Sequence, residues 1–449
     1  MSEKVFSHID DHIDDAIDDL AEFCSIPSVA TKGENMLDAA NLVKSWLESL
    51  GLETALHETS GWPVVTGEMD VGAKRTLLFY NHYDVQPAEP FDLWKSPPFE
   101  LSRRNGRLYA RGVADNKGDI VTRIWALKAL IESDVEIPVN IKFVIEGEEE
   151  IGSPHLHEFV RKNEDFIKAD GGIWEFGGSG IDDRQEAWLG LKGLLYVQLE
   201  VKKLKMDSHS ANACVLPSAP YRLVWALNSL KNEDGKILIK GFYDDVNTLS
   251  NAELEIIRNI ELYEDDVKEY YEIDQFVNGL EGHELQIEFY NGPTCNICGI
   301  GSGWQGEGSK TVLPAEAMVK VDFRLVESMD PNDILSKLQN HFDSEGFSDI
   351  EIAWHDGYPA AKTPVDHPFV EVVNTANKRV FGHDITIHPT NPGSGPLYLF
   401  KDHVPMVSIG CSDFYSRAHS PNETIKIENF SKSIKRIIVL IEEMTASFD

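Results

Sequence analysis

The feature that most constrains this chain is a series of short apolar runs separated by helix-length amphipathic stretches. Residues 76–80 form a short apolar run, as a strand buried on both faces should. Residues 139–145 place Val139, Ile141, Phe143 and Ile145 at alternate positions, and residues 172–176 and 404–409 are two further short apolar runs. Helical periodicity covers residues 10–24, where Phe6, Ile9, Ile13, Ile17 and Leu20 recur on one face and aspartates fill the other. It also covers residues 37–50, closed by Gly51, residues 119–133, and residues 430–444 with Ile434, Ile437, Ile438 and Ile441 on one side. Strands alternating with helices predict an α/β fold, a mostly parallel sheet flanked by helices. The middle of the chain departs from this pattern. Strand candidates at 195–201, 317–325 and 350–354, helix candidates at 220–230 and 331–344, and an acidic helix-rich stretch at 250–271 predict a smaller inserted α+β domain. The expected organisation is residues 1–194 and 362–449 as one domain, with residues 195–361 inserted into it.

Composition narrows the function classes. The chain has 449 residues, 42% hydrophobic and 26% charged, which is ordinary globular usage. Its longest apolar run, residues 437–441, falls far short of the roughly 20 residues needed to span a membrane. The opening Met-Ser-Glu-Lys has no basic and apolar leader pattern. With 41 basic and 75 acidic residues the formal charge is −34, which repels phosphate backbones and anionic lipid heads. Nucleic acid and membrane partners are therefore not expected. The cysteines number 5, sparse and odd, which points to free thiols in a reducing, cytoplasmic setting.

Ligands in open α/β sheets bind beyond the carboxyl ends of the strands, so the residues following each run carry the functional signal. His82 and Asp84 follow residues 76–80, and the acidic run Glu146-Gly147-Glu148-Glu149-Glu150 follows residues 139–145. Glu175 lies within 172–176, His419 follows 404–409, and Asp115 precedes the helix that begins near residue 119. Separate segments thus deliver histidines and carboxylates toward one sheet edge. Imidazole and carboxylate together suit Zn²⁺, Mn²⁺ or Co²⁺. A pair of metals about 3.5–4 Å apart needs a bridging carboxylate, for which an Asp on a rigid turn is the natural choice. Asp84, two residues after His82, can accept the other imidazole N–H. A Glu beside a ligating Glu can serve as general base.

Several stretches carry a family resemblance. His82-Tyr83-Asp84-Val85-Gln86-Pro87, Trp94 through Phe99, Gly106 through Gly112, Asp115 and Lys117-Gly118 resemble the dizinc metallopeptidase family of carnosine dipeptidase, acetylornithine deacetylase and succinyl-diaminopimelate desuccinylase. Glu146 through Ser153, Lys310 through Pro314, Asp322 through Val326 and Ala418 through Glu423 extend the likeness over nearly the whole chain in order. Asp-Val-Gln-Pro and Trp-Lys-Ser-Pro-Pro-Phe are most similar to the carnosinase-like dipeptidases.

The resemblance implies two divalent metals, most typically zinc, with manganese or cobalt as alternatives. It implies that Asp115 bridges them, that His82 and Glu175 complete one, and that Glu150 and His419 complete the other. Glu149 is then the general base and Asp84 orients His82. The inserted domain becomes a lid and dimerisation domain, in which His209 polarises the scissile carbonyl, supplied by the partner subunit in homodimeric relatives. Arg324 holds the substrate carboxylate, with Gly393-Ser394 beside it. The implied reaction is hydrolysis of dipeptides or short peptides with a free C-terminal carboxylate. The alternative is an N-acyl or N-carbamoyl amino acid deacylase. Glu175 bears on that choice, because carnosinase-like dipeptidases usually carry Asp there and Glu is more typical of the deacylase and carboxypeptidase branches. Ala211-Asn212-Ala213-Cys214 after Ser210 also departs from the family's glycine-rich sequence.

Other features read as structural. Cys295-Asn296-Ile297-Cys298 is a single CxxC with no second pair and no helix start after it. The acidic stretch near 263–266 reads as a solvated face. The remaining histidines carry no assigned role.

Overall fold

A computed structural model describes residues 2–446. The chain divides into two compact units. One takes the chain as far as Gly190, Lys362–Pro389 and the portion from Gly395 onward, and the other takes Leu191–Ala361 with Thr390–Ser394.

The first unit is built on a large mixed sheet whose centre is parallel. Asn140–Glu146, Thr76–His82, Gly171–Trp174 and Met406–Ser408 lie side by side in that order, all running the same way. These are the apolar runs that the sequence singles out, and helices carry the chain between them. The Lys117–Glu132 helix crosses from Thr76–His82 to Asn140–Glu146 and packs with Ile13–Cys24 and Ile427–Ala446. Antiparallel strands flank this centre. Glu53–His57 and Val64–Met69 add to one side, and Gln185–Trp188 adds to the other. The core explains the placement: Leu77, Phe79, Ile141, Phe143 and Ile145 are fully buried among helix residues such as Ile120, Leu127, Ile434 and Leu440. Phe79 and Phe143 pack with ring centroids 5.0 Å apart. On the sheet's other face Tyr80 stacks on Trp174 at 3.9 Å.

The expected helix over residues 10–24 is instead Ser2–Asp11 followed by Ile13–Cys24. The break falls at His12, whose ring nitrogen donates to the His8 carbonyl at 2.9 Å.

The second unit has a four-stranded antiparallel sheet in the order Asn296–Gly301, Glu316–Leu325, Gly193–Lys202, Glu351–Tyr358. Along Gly193–Lys202 burial alternates residue by residue, with Leu195, Val197, Leu199 and Val201 on the inner face. The helices Ala219–Leu230 and Pro331–Ser344 cover that face through Leu223, Ala226, Leu338 and Phe342. Both begin at good caps: Ser218 accepts from Tyr221 N–H, and Asp330 accepts from Asn332 and Asp333 N–H. The acidic stretch forms the short helices Asn251–Arg258 and Glu264–Tyr271, and no residue of the second is buried. Cys295 is buried and Cys298 exposed, and both are free thiols. Among the described residues no helix is long and apolar enough to cross a membrane.

Phe143→Ala should lower stability by about 3–5 kcal/mol, because a buried aromatic leaves a cavity in the parallel centre of the sheet. Urea unfolding of the first unit should show a lower midpoint, and an unchanged midpoint would contradict this core assignment.

Candidate metal centre

The site residues of the first unit come from the ends of its parallel strands and the turns after them. His82 is the last residue of its strand and stands opposite Glu146 in register. Glu149 and Glu150 follow in the 3₁₀ turn Glu149–Ile151, and Glu175 directly follows Gly171–Trp174. Asp115 lies two residues before the Lys117–Glu132 helix. Two close approaches shape its turn. Gly112 has φ +82° and a Cβ there would lie 2.7 Å from Val85, while a Cβ on Gly118 would lie 2.2 Å from the Val113 carbonyl. His419 sits after Ser412–Asp413 with φ 61°, in the left-handed region that non-glycine residues rarely adopt.

These segments converge on the Asp115 carboxylate. Its Oδ1 lies 3.0 Å from His82 Nε2, and its Oδ2 lies 3.0 Å from His419 Nε2. His419 Nε2 is also 3.0 Å from Glu150 Oε2. One donor atom each from His82, Asp115 and Glu150 falls within 4.8 Å of the others. Behind His82, Nδ1 donates to Asp84 Oδ1 at 3.2 Å, which directs Nε2 at Asp115. The second Asp84 oxygen accepts from Glu150 N–H at 3.0 Å, so one carboxylate fixes both segments. Glu175 is buried beside this group and lies outside the tight donor set. The Glu149 carboxylate has no hydrogen-bond or ion-pair partner among the described residues.

The electrostatics fit a cation site. Burial opposes the charge on Asp115, yet hydrogen bonds from His419 and His82 hold its carboxyl well below the usual range. Burial works against a charged His82, but Asp115 and Asp84 raise it well above its ordinary value. His419 is raised to about 11 by its bonds to Asp115 and Glu150. Burial pushes Glu175 up to about 8 against the pull of His82. Burial also drives Glu149 well above the carboxylate range, His82 opposing and Glu175, Glu150 and Asp115 reinforcing it. A pocket that gathers this many carboxylates around two imidazoles relieves their repulsion by binding divalent cations. Two donor sets share Asp115: His82 with Oδ1, and His419 with Glu150 and Oδ2.

The remaining predicted site residues lie in the second unit. Arg324 is paired in register with Leu194 and reaches Asp322 through Nε at 3.3 Å. Ser394 Oγ donates to the Gly193 carbonyl at 3.1 Å, and the Gly393 carbonyl accepts from Lys192 N–H at 2.9 Å. Arg324, Gly393 and Ser394 therefore share one corner of this sheet. His209 is exposed, and its Nδ1 accepts from Ala211 N–H at 3.1 Å. It pairs with Val312, four residues ahead of Glu316, and so lies beyond the opposite end, past the Lys202–Glu316 pair. From Leu194 to Lys202 a strand runs about 25 Å, so this sheet does not bring His209 and Arg324 together.

Sequence reasoning left several supporting residues without a role. Glu423 is fully buried: Oε1 accepts from Ala114 N–H at 2.8 Å and Asp115 N–H at 3.1 Å. Its Oε2 accepts from Gly112 N–H at 2.9 Å and Arg111 Nη1 at 2.7 Å. Arg111 Nη2 continues to the Pro87 carbonyl at 3.1 Å. One ion pair thus links the His419 loop, the Asp115 turn and the segment after His82. Asn116 donates to the Glu175 carbonyl, Gln86 Nε2 donates to Glu150 Oε2 at 3.0 Å, and Glu148 pairs with His155 at 2.9 Å. The only signal for Glu423 in the sequence is its place in the run Ala418 through Glu423.

Residues 78–443 match the peptidase family M20/M25/M40. This chain belongs to that family. It is 30% identical over 486 residues to a Cys-Gly metallodipeptidase of Schizosaccharomyces pombe, covering 99% of this chain and 98% of that protein. It is 30% identical over 475 residues to the Homo sapiens Beta-Ala-His dipeptidase, covering 98% of this chain and 92% of the relative. Among solved structures, an M20 family metallo-carboxypeptidase from Sulfolobus solfataricus superposes with a TM-score of 0.90 at 35% identity, covering 99% of this chain and 100% of that one. Human carnosine dipeptidase 1 superposes with a TM-score of 0.83 at 27% identity, with the same coverage of 99% and 100%. The α/β fold and the family expected from the sequence are both borne out.

Glu423→Gln puts an amide N–H₂ where a carboxylate oxygen accepts from backbone or Arg111. Affinity of the centre for Zn²⁺ should fall by about 10–100-fold, as for other residues that hold ligands in place. Competition against a chromophoric chelator measures it, and wild-type affinity would show that Glu423 does not set the geometry.

Proposed function

We propose that this chain is a dinuclear metal-dependent dipeptidase, cleaving short peptides with a free C-terminal carboxylate. The observation that carries this reading is the Asp115 carboxylate shared between His82 and His419, with the unpartnered Glu149 alongside. Full-length likeness to enzymes named as dipeptidases supports it. His82, Glu175 and Asp115 would hold one cation, and Glu150, His419 and Asp115 the other. Zinc is the preferred metal, with manganese or cobalt able to replace it, because histidine and carboxylate donors serve all three. Two cations held there would acidify a water toward neutral pH and offset negative charge on the scissile carbonyl oxygen.

The protein's own groups do the rest. Glu149, unpaired and raised in proton affinity, takes the water's proton and passes it to the leaving amine. Arg324 pairs with the substrate carboxylate, with Gly393 and Ser394 at its side. His209 donates to the carbonyl oxygen as charge develops. In one chain about 25 Å of strand separates Leu194, the partner of Arg324, from Lys202, the end of the sheet from which the chain leads to His209. Both can act on one dipeptide only if one of them comes from a second copy, and the family resemblance gives that part to His209. The working unit is therefore a homodimer through the inserted domain, and its setting is the cytoplasm.

A second reading is carboxypeptidase action on longer peptides. It is favoured by the Sulfolobus metallo-carboxypeptidase at a TM-score of 0.90 and by Glu175, the residue more typical of that branch. The N-acyl amino acid deacylase reading has no comparable support.

A zinc-loaded preparation should hydrolyse free dipeptides and leave N-acetyl and N-carbamoyl amino acids intact. Glu149→Gln should lower kcat by at least about 10²–10⁴-fold with metal content unchanged. Cleavage confined to longer peptides would select the carboxypeptidase reading, and near-normal turnover by Glu149→Gln would remove Glu149 as the base.

Mixing two inactive variants tests the homodimer. His209→Ala and Glu149→Gln, each purified and then reassorted together, should regain turnover, because one site of a mixed dimer has both groups intact. Recovery absent despite exchange of subunits would place His209 and Glu149 on the same chain at each site.

A further inference from the structure

We propose that a cation-lined cavity beside the His419 loop binds a small multivalent oxyanion of the phosphate type. The cavity measures about 390 Å³ and is lined by Lys95, Arg104, Arg107 and Arg417, with the rings of Tyr109 and Tyr415 as flat walls. All six belong to the first compact unit.

The charge pattern is the first argument. The chain has 75 acidic residues against 41 basic ones, so a cation should find a carboxylate easily. In this cavity only Arg107 has one, Asp413 at 2.7 Å. Lys95, Arg104 and Arg417 form no ion pair among the described residues. Like charges gathered in one recess repel each other, and an acid-rich chain that leaves them unpaired leaves room for an external anion.

The framework is the second argument. Ser102–Arg104 and Arg107–Tyr109 form a hairpin joined by Asn105 and Gly106, both at positive φ. This register sets Arg104 directly opposite Arg107, a cross-strand pairing of like charge that destabilises an isolated hairpin. Arg104 is held in place: its guanidinium lies 4.0 Å from the Tyr109 ring centre, and Nη1 donates to Ser96 Oγ at 3.0 Å. Its Nη2 is buried with no hydrogen-bond partner. Asn422 closes the other wall, accepting from Lys95 N–H at 2.9 Å and donating to the Leu93 carbonyl at 2.8 Å.

Guanidinium forks match the oxygens of a phosphate group, and the tyrosine walls leave space for an organic body attached to it. The net charge of −34 repels a long polyanion and favours a small one. Arg417 and Asn422 bracket His419, and Arg417, Asn422 and His419 have positive φ of 56°, 64° and 61° respectively. An anion on Arg417 would therefore steady the loop that delivers His419. The site stands independently of the dipeptidase reading, since its test measures binding and not hydrolysis.

Inorganic phosphate titrated calorimetrically into the metal-loaded protein at fixed ionic strength is the test, with sulfate and acetate in parallel. Phosphate and sulfate should bind saturably, and acetate at least tenfold more weakly. Lys95→Gln and Arg417→Gln change exposed side chains, so folding is preserved, and each should weaken phosphate binding at least tenfold. Arg104→Gln should do the same. Absence of saturable binding would overturn the proposal. So would equal binding by wild type and all three variants, which would place the anion on the metals.

Discussion

The site depends on one buried ion pair, Arg111 with Glu423 at 2.7 Å. Neither group touches the donor atoms, yet Glu423 accepts the N–H groups of Gly112, Ala114 and Asp115 and so determines where the Asp115 carboxylate points. It lies four residues beyond His419 in the chain, so the turn and the loop that meet at Asp115 are tied together from behind. Removing one partner of a buried pair leaves an uncompensated charge, which costs about 3–5 kcal/mol. That cost makes the arrangement rigid. A centre whose donors come from separate strand ends keeps its geometry only if the backbones carrying them cannot drift independently.

Rigidity matters because the donors repel one another. Asp115, Glu149, Glu150 and Glu175 share a space in which water screens poorly, and burial pushes all four toward the neutral form. In Asp115 that effect is outweighed, because His82 and His419 each donate to one of its oxygens. Asp115 is thus both the group that His82 and His419 share and the one whose charge the protein itself secures. Glu149 is the opposite case. It is held among carboxylates, has no partner among the described residues, and its proton affinity is raised by burial, which suits the base role proposed for it.

Much of this was legible in the sequence, for a physical reason. Strands buried on both faces must be apolar, so residues 76–80 and 139–145 stood out, and the first polar residues after them had to mark the sheet's carboxyl edge. His82, Glu149, Glu150 and Glu175 follow from that rule. The antiparallel flank was not legible, because Glu53–His57 is only partly buried and its residues do not alternate. The break at His12 was hidden too, since Ile9, Ile13 and Ile17 keep one periodicity through it. Glu423 escaped for a different reason. Most of its partners are backbone N–H groups, which nearly every residue has, so no pattern of side chains announces them.

The second unit shows what residue matching alone does not decide. His209 and Arg324 both resemble substrate-binding residues, and along the chain nothing separates their roles. The sheet register does. Gly193–Lys202 pairs with Glu316–Leu325 over its whole length, which puts Arg324 beside Leu194 at one end and sends the chain toward His209 from the other. A dipeptide spans two residues, about 7 Å when extended, and cannot bridge that distance. The separation is built into ten consecutive backbone pairs, so no side-chain rotation closes it. If both residues serve one substrate, the strand that keeps them apart within a chain is also what requires a second chain.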